Sequence, residues 1–252
     1  MLALVGDLDP KETLAKVKKY FGSIPRQEAP KRSDLAESTR DAERRLKIED
    51  PLARLTRVDI AYRMPAGTQP DARALSVAAS ILGGGGGFGG RGGGGGNNSR
   101  LYQKLVVEKE AVVQVSCFAE RRQGPGIFHI SATVRPGHTA EEVEGLISEE
   151  IAKLHAEPVT AQELQRVRMS IRRGAENRLT SLSRAQALAD AAAVYGDPNL
   201  VNISTEQDLA VSAADIQRAA RAELLKPNRV VVVTAPKPGA AGQGRGGRRG
   251  QN

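Results

Sequence analysis

Three histidines carry most of what this sequence offers toward metal or acid–base chemistry: His129, His138 and His155. A hydrolytic zinc site needs two ligands close together on one face, a further ligand, and a general base beside the metal-bound water. No two of these histidines lie four residues apart, so no helix face carries a ligand pair. His129 falls inside an alternating apolar run, His138 in a turn and His155 near a helix end. They read as a polar residue on a strand face for His129 and as surface positions for the other two. The single cysteine, Cys117, has no histidine placed by sequence to activate it. It sits at an apolar strand position and reads as a small core hydrophobe. No Gly-x-Ser-x-Gly elbow occurs, and the glycine run 83–96 is not followed by the Gly-Lys-Ser or Gly-Lys-Thr of a phosphate loop.

The elements that would position these residues centre on Asn98-Ser-Arg-Leu-Tyr-Gln-Lys-Leu and the residues after it. Asn98 or Ser99 can cap a helix carrying Leu101, Leu105 and Glu108. From Ala111 the period switches from near 3.6 to 2, with Val113, Val115, Cys117 and Ala119 on one side and Gln114, Ser116 and Glu120 on the other. A Gly-containing turn, Arg122-Gln-Gly-Pro-Gly126, leads to a second strand, Ile127-Phe-His-Ile-Ser-Ala-Thr-Val134. The pattern is a helix feeding a hairpin of strands 111–120 and 126–134.

The remaining elements follow from the same periodicities. Met1 to Val5 reads as a short strand, and a helix from Pro10 to Phe21 is expected to bury Leu14, Val17 and Phe21. Residues 26–54 are dense in charge and read as a solvated linker. Val58 to Met64 alternates as a strand, and Asp71 to Leu82 is an amphipathic helix. Thr139 to His155 is a helix with its acids early and Lys153 late, a polarity that suits the helix dipole. Thr160 and Glu163 form a capping box for a long helix whose apolar stripe continues to Tyr195, where Gly196-Asp-Pro198 stops it. A short helical piece from Leu200, a helix from Ala213 to Leu225 and a strand from Asn228 to Thr234 complete the chain. The glycine run 83–96 and the Gly/Arg tail 236–252 are expected to be disordered. The fold class is α+β: an antiparallel-rich sheet with helices packed on one face.

Several of these pieces, in this order, resemble the insulinase-like (M16) zinc peptidases. The residues are Ser80-Ile-Leu-Gly-Gly at a helix end, then Ser99-Arg-Leu-Tyr and the hairpin. Before them come Leu4-Val-Gly-Asp-Leu-Asp-Pro and Tyr20-Phe-Gly-Ser-Ile-Pro25, and after them Pro158-Val-Thr-Ala-Gln-Glu-Leu164. The resemblance covers 1–235 and implies a peptide-cleaving enzyme built of two homologous halves. Its first half would carry His-x-x-Glu-His and zinc, and its second half would lack them. This chain contains no His-x-x-Glu-His, so it is expected to hold no zinc and to be inactive alone. Its division would be 1–25 as the end of a preceding half, 26–54 as linker, 55–235 as the C-terminal-type domain with the insertion 83–96, and 236–252 as tail. In the family an arginine and a tyrosine on and just beyond the hairpin's second strand grip substrate. The resemblance implies Arg135 and His129 as substrate contacts here, although no tyrosine follows Arg135. The expected partners are a peptide or unfolded polypeptide and an M16 half or subunit that carries the zinc site. The chain would be either a truncated enzyme or the non-catalytic subunit of a two-chain peptidase.

Charge raises one reading of another class. The net charge is +8, and Lys237, Arg245, Arg248 and Arg249 place half of it in an acid-free tail. Arg245-Gly-Gly-Arg-Arg-Gly250 and Phe88-Gly-Gly-Arg-Gly92 could contact phosphates nonspecifically. Against a nucleic-acid binder, aromatics make up only 3% of the chain, too few for base stacking. No apolar run is long enough to insert in a membrane and no signal peptide is visible, which leaves the compartment open.

Overall fold

The structure is a computed structural model that describes residues 2–25, 27–28, 42–84, 97–177 and 180–237. Its elements, in chain order, are α1 (Pro10–Phe21), β1 (Arg44–Asp50), β2 (Arg57–Ala66), α2 (Pro70–Gly83), a π-helical segment (Tyr102–Glu108), β3 (Val112–Glu120) and β4 (Pro125–Val134). There follow α3 (Ala140–Ala156), α4 (Ala161–Asn177), α5 (Ser181–Val194), α6 (Leu200–Leu209), α7 (Ala213–Glu223), a 3-10 turn (Lys226–Asn228) and β5 (Arg229–Pro236). The chain divides into two units, one of residues 1–36 with 169–209 and one of residues 37–168 with 210–252.

The second unit is built on a five-stranded sheet in the order β1-β5-β2-β4-β3. Only β1 and β5 run parallel; the other neighbours are antiparallel. Strand alternation sorts the side chains. Val58, Ile60, Tyr62 and Met64 of β2 face the same way as Phe128, Ile130 and Ala132 of β4 and as Val115 and Cys117 of β3, and all are buried. The helices α2, α3 and α7 pack on that face, with Leu75, Leu82, Ile147, Leu154 and Ile216 completing the core. With so few aromatics, aliphatic side chains supply most of the buried apolar area that drives this packing. The fold is the expected α+β arrangement.

Caps stand where the sequence put them. Asp9 accepts from the Glu12 N–H, and Thr139 from the Glu142 N–H. Thr160 and Glu163 bond reciprocally. Ser99, in contrast, has a buried hydroxyl without a partner among the described residues, so its side chain caps nothing.

Glu163 also takes two bonds from the Arg100 guanidinium, 2.6 and 2.9 Å, which fasten α4 to the segment before the π-helical turn. Those bonds, more than Thr160, hold the Glu163 carboxyl at about 2 against the upward pull of burial. A carboxyl depressed on folding stabilises fully above its unfolded value and loses that contribution as pH falls through its folded value. Acid titration of unfolding is therefore expected to show stability falling between pH 4.5 and about 2. In Glu163→Gln that part of the fall should vanish, and urea unfolding followed across this range measures it. Solvent screening limits the effect to on the order of 1–2 kcal/mol.

Several expectations are corrected. Residues 44–50, inside the stretch read as linker, form β1, because β5 offers a parallel partner and ion pairs hold the strand down. Val113 does not share the face of Val115: the register shifts between Val112 and Gln114, and this bulge turns Val113 outward. His138 and His155 are both half-buried, not at the surface. Gly83, read as part of the disordered run, ends α2, and Pro236, read as part of the tail, ends β5; residues 85–96 and 238–252 lie outside the described residues.

The other unit corrects three more. Residues 2–5 are not a strand; no described residue pairs with them, and Leu2 and Leu4 stay exposed. The α1 helix forms, but Leu14 and Phe21 are exposed and Val17 half-buried. The long helix expected from Ala161 to Tyr195 is two helices. The α5 helix has its own cap at Thr180, whose hydroxyl accepts from the Ser183 N–H. Gly196, at a φ of 74°, follows α5, as its residue type suggests.

Candidate functional site

Opposite the helices, the sheet presents Asp59 and Ala61 of β2, His129 and Ser131 of β4, and Ser116 and Phe118 of β3. Register places Ala61, His129 and Phe118 in one row across three strands, and Asp59, Ser131 and Ser116 in the next. The methyl group of Ala61 leaves space beside the imidazole. Asp59, diagonal to His129, fills it: His129 Nε2 lies 3.2 Å from Asp59 Oδ1. On the other side the His129 ring rests against Phe118, with centroids 4.9 Å apart. Arg57 Nε donates to Asp59 Oδ2 at 2.7 Å. Burial pushes the Asp59 carboxyl up, but bonds from His129, Ser131 and Arg57 outweigh it and hold the group below the usual carboxylate range.

This arrangement holds the imidazole in place. Asp59 selects the tautomer that donates from Nε2, which makes Nδ1 the acceptor. Nδ1 is buried and has no partner among the described residues. A general base must reach the proton it removes. No described nucleophile pairs with this nitrogen, so the site offers polar and aromatic binding surface.

Arg135 lies elsewhere. It follows the end of β4, six residues beyond His129, a distance of about 20 Å along an extended strand. Its backbone N–H donates to Ala111 at 2.9 Å, and its guanidinium meets the exposed carboxylate of Glu110 at 3.3 Å. The structure therefore keeps the two candidates named from the sequence apart. Asp59 and Phe118, which the sequence reading left out, are the residues that surround His129. Asp59 was visible as an acid in an apolar alternating strand, but nothing local paired it with a histidine seventy positions away.

The remaining histidines are dispersed. His138 Nδ1 lies 2.9 Å from Glu142, at a cleft of about 450 Å³ between the start of α3 and the strands β1 and β5. His155 sits at the end of α3, where burial draws its pKa down. Zinc requires His, Cys, Asp or Glu groups converging on one point, and no such group of three exists among the described residues. The described residues therefore do not fit the metal.

The fold is thus an α+β unit with its helices on one face of the sheet and the Asp59–His129–Phe118 cluster on the other. The family model for the peptidase M16 inactive domain matches residues 1–171, and this chain belongs to that family. It is an inactive M16 domain. Solved structures agree on the fold. A protease from Helicobacter pylori superposes with a TM-score of 0.80 at 23% identity, over 92% of this chain and 54% of that one. The inactive peptidase domain of a zinc protease homologue from Bordetella parapertussis superposes at 0.63 and 25% identity, over 73% and 91%. The ferredoxin protease FusC, in complex with Arabidopsis ferredoxin, gives 0.66 at 19% identity, over 92% and 24%. The chain thus spans about half the length of the Helicobacter pylori protein. No curated protein is similar to it in sequence by the same standard.

Proposed function

We propose that this domain forms one wall of a peptide-binding chamber whose zinc is supplied by another M16 half, in the same protein or on a separate subunit. The substrate is a peptide or unfolded polypeptide. The observation that carries this reading is the sheet face opposite α2, α3 and α7, where Asp59, His129 and Phe118 form a fixed polar and aromatic surface. Extended peptide presents carbonyl and N–H groups along its whole length, and such a surface can meet them without regard to sequence. Arg135 would contribute a cation beyond the strand end. The complex of FusC with ferredoxin supports a polypeptide as the kind of partner. In this arrangement residues 1–25 are the end of the preceding half, and the domain itself begins with β1 at Arg44 and runs to 235.

The test has two arms. The chain alone is expected to leave an unstructured fluorogenic peptide uncut and to hold no stoichiometric zinc, while turnover appears on adding a protein that carries His-x-x-Glu-His. Chelator-sensitive turnover by the chain alone, at one zinc per chain, would overturn the reading. In the second arm, fluorescence anisotropy measures peptide binding to the wild type, His129→Ala and Arg135→Ala. Each variant should bind several-fold more weakly, since a hydrogen bond to a charged or polar partner is worth about 0.5–3 kcal/mol. Unchanged binding in both would remove these residues from the site.

A further inference from the structure

The strand β1 lies at the edge of the sheet, paired with β5 on one side and with no described residue on the other. Six of its seven residues are exposed. An edge strand presents a row of unpaired N–H and C=O groups, and proteins usually blunt it with charge, proline or a cover. This one is charged in a patterned way. Its sequence is Arg44-Arg-Leu-Lys-Ile-Glu-Asp50, with cations at one end, acids at the other and two apolar residues around a central lysine. Leu46 and Ile48 are 55% and 41% exposed, so the edge carries an apolar pair between its charged ends.

That order is self-complementary. If a second copy pairs antiparallel through a two-fold axis at Lys47, Arg44 stands opposite Asp50 and Arg45 opposite Glu49. Leu46 then stands opposite Ile48. Alternation keeps Arg44, Leu46, Ile48 and Asp50 on the face away from the helices and Arg45 and Glu49 on the helix side, so every pair shares a face. Other registers lose this. Moving the axis by one residue toward Leu46 opposes Arg45 with Lys47. Moving it toward Ile48 leaves Leu46 against Asp50. Directly opposed cross-strand pairs of opposite charge or apolar character are the ones that stabilise a sheet, and like charges destabilise it. The cost is Lys47 against its own copy and diagonal to Arg45 of the other strand, which the other diagonal neighbour, Glu49, offsets only in part.

We propose that β1 is a self-association edge, at which two copies of this chain join their sheets into one ten-stranded antiparallel-centred sheet across a two-fold axis at Lys47. Such isologous pairing needs the same patch from both copies, which the palindromic charge order provides. Two seven-residue strands bury a small area, so the dimer is weak and depends on concentration. The competing role for Lys47 is an edge guard that keeps strands apart.

Sedimentation velocity over a concentration series separates the two. A reversible monomer–dimer equilibrium is expected; a single monomeric species at every concentration up to about 1 mM would overturn the proposal. Charge reversal then tests the register. Arg44→Glu or Asp50→Lys alone should weaken association by about tenfold or more, since each places two like-charged pairs across the axis. An equal mixture of the two variants should recover the dimer, because each heterodimer restores both pairs. Asp50→Lys also removes the acceptor for the Leu52 N–H, 2.8 Å away, so its fold is checked by circular dichroism. Lys47→Cys needs no such check: position 47 is exposed, and the chain's only cysteine, Cys117, is buried. At the axis the two introduced thiols would lie with their β-carbons about 5 Å apart. Oxidised glutathione should then give a disulfide-linked dimer, with Arg44→Cys linking far more slowly. Equal linking rates at the two positions, or a mixture that stays monomeric, would overturn the two-fold at Lys47.

Discussion

Gly83→Ala is expected to cost on the order of 3 kcal/mol or more and to lower the melting temperature by roughly 10 °C. Gly83 ends α2 where that helix crosses β3, and an added methyl would lie 2.3 Å from both Cβ and N of Cys117 and 2.7 Å from its Cα. Two of those three atoms are backbone of a strand paired along β4, so no rotamer change relieves the overlap. Only a shift of the helix away from the sheet would, and that shift would open the core at Leu82, Leu105 and Cys117, all fully buried. The next residue, Gly84, has a φ of 81° and ends the helix in the left-handed region, its N–H donating to the Ser80 carbonyl. The pair Gly83-Gly84 thus answers two separate demands, close approach and then chain reversal. The test is thermal and urea unfolding of Gly83→Ala alone and with Cys117→Ala. The second substitution should give little rescue, because backbone atoms remain in the way. Gly145→Ala, at an exposed site on α3 with open space around it, is the control and should be neutral or stabilising by up to about 1 kcal/mol. A Gly83→Ala protein that melts with the wild type would mean that α2 does not approach β3 as described.

These glycines illustrate what was legible in the sequence. Their place after an apolar helix, ahead of a hairpin, was evident; the reason for the first of them was not, because Cys117 lies 34 positions away. Elements whose partners are near in sequence, or whose apolar pattern is strong, were readable: β2, the β3–β4 hairpin, α2 and α3. The β1 strand was not, since Arg44-Arg-Leu-Lys-Ile-Glu-Asp50 has no buried apolar face to betray it and is placed by β5, far along the chain. The stretch 2–5 failed in the opposite sense. It has strand-forming residues but no ladder partner among the described residues, and apolar character alone does not make a strand. At the candidate site His129 was found because histidines are few, whereas its dependence on Asp59 and Phe118 rests on register between strands. A one-residue slip would have put all three on other neighbours.

The same dependence on distant partners makes Arg229→Ala the second large effect, expected to cost about 3–5 kcal/mol near neutral pH. Arg229 opens β5 and is only 4% exposed. Its Nε meets Glu43 just before β1, its Nη2 meets Glu144 of α3 at 2.6 Å, and its Nη1 meets the Ser148 hydroxyl at 3.2 Å. Arg45 of β1 bonds the same two carboxylates, at 2.8 Å to Glu43 and 2.7–2.9 Å to Glu144. Two acids and two arginines thus fasten the charged strand β1 to the sheet and to α3. Without Arg229, two poorly solvated carboxylates face one partly exposed guanidinium, and an uncompensated buried charge is what makes breaking such a cluster costly. The pH dependence has a definite sign. Arg45 holds the Glu144 carboxyl below its ordinary value of 4.5. Burial raises Glu43, but bonds from Arg45 and Arg229 bring it below 4.5 as well. Carboxyls depressed on folding contribute in full above 4.5 and lose that contribution as pH falls through their folded values. Arg229→Ala should therefore cost most at pH 7 and much less near pH 3, where protonated carboxyls no longer need the cation. Urea unfolding of wild type and variant at the two pH values measures this. Hydrogen exchange should show β1 losing protection in the variant before the β2–β4 ladder, which contains none of the cluster's residues. An equal loss of stability at both pH values would show that Arg229 acts through packing and not through its ion pairs.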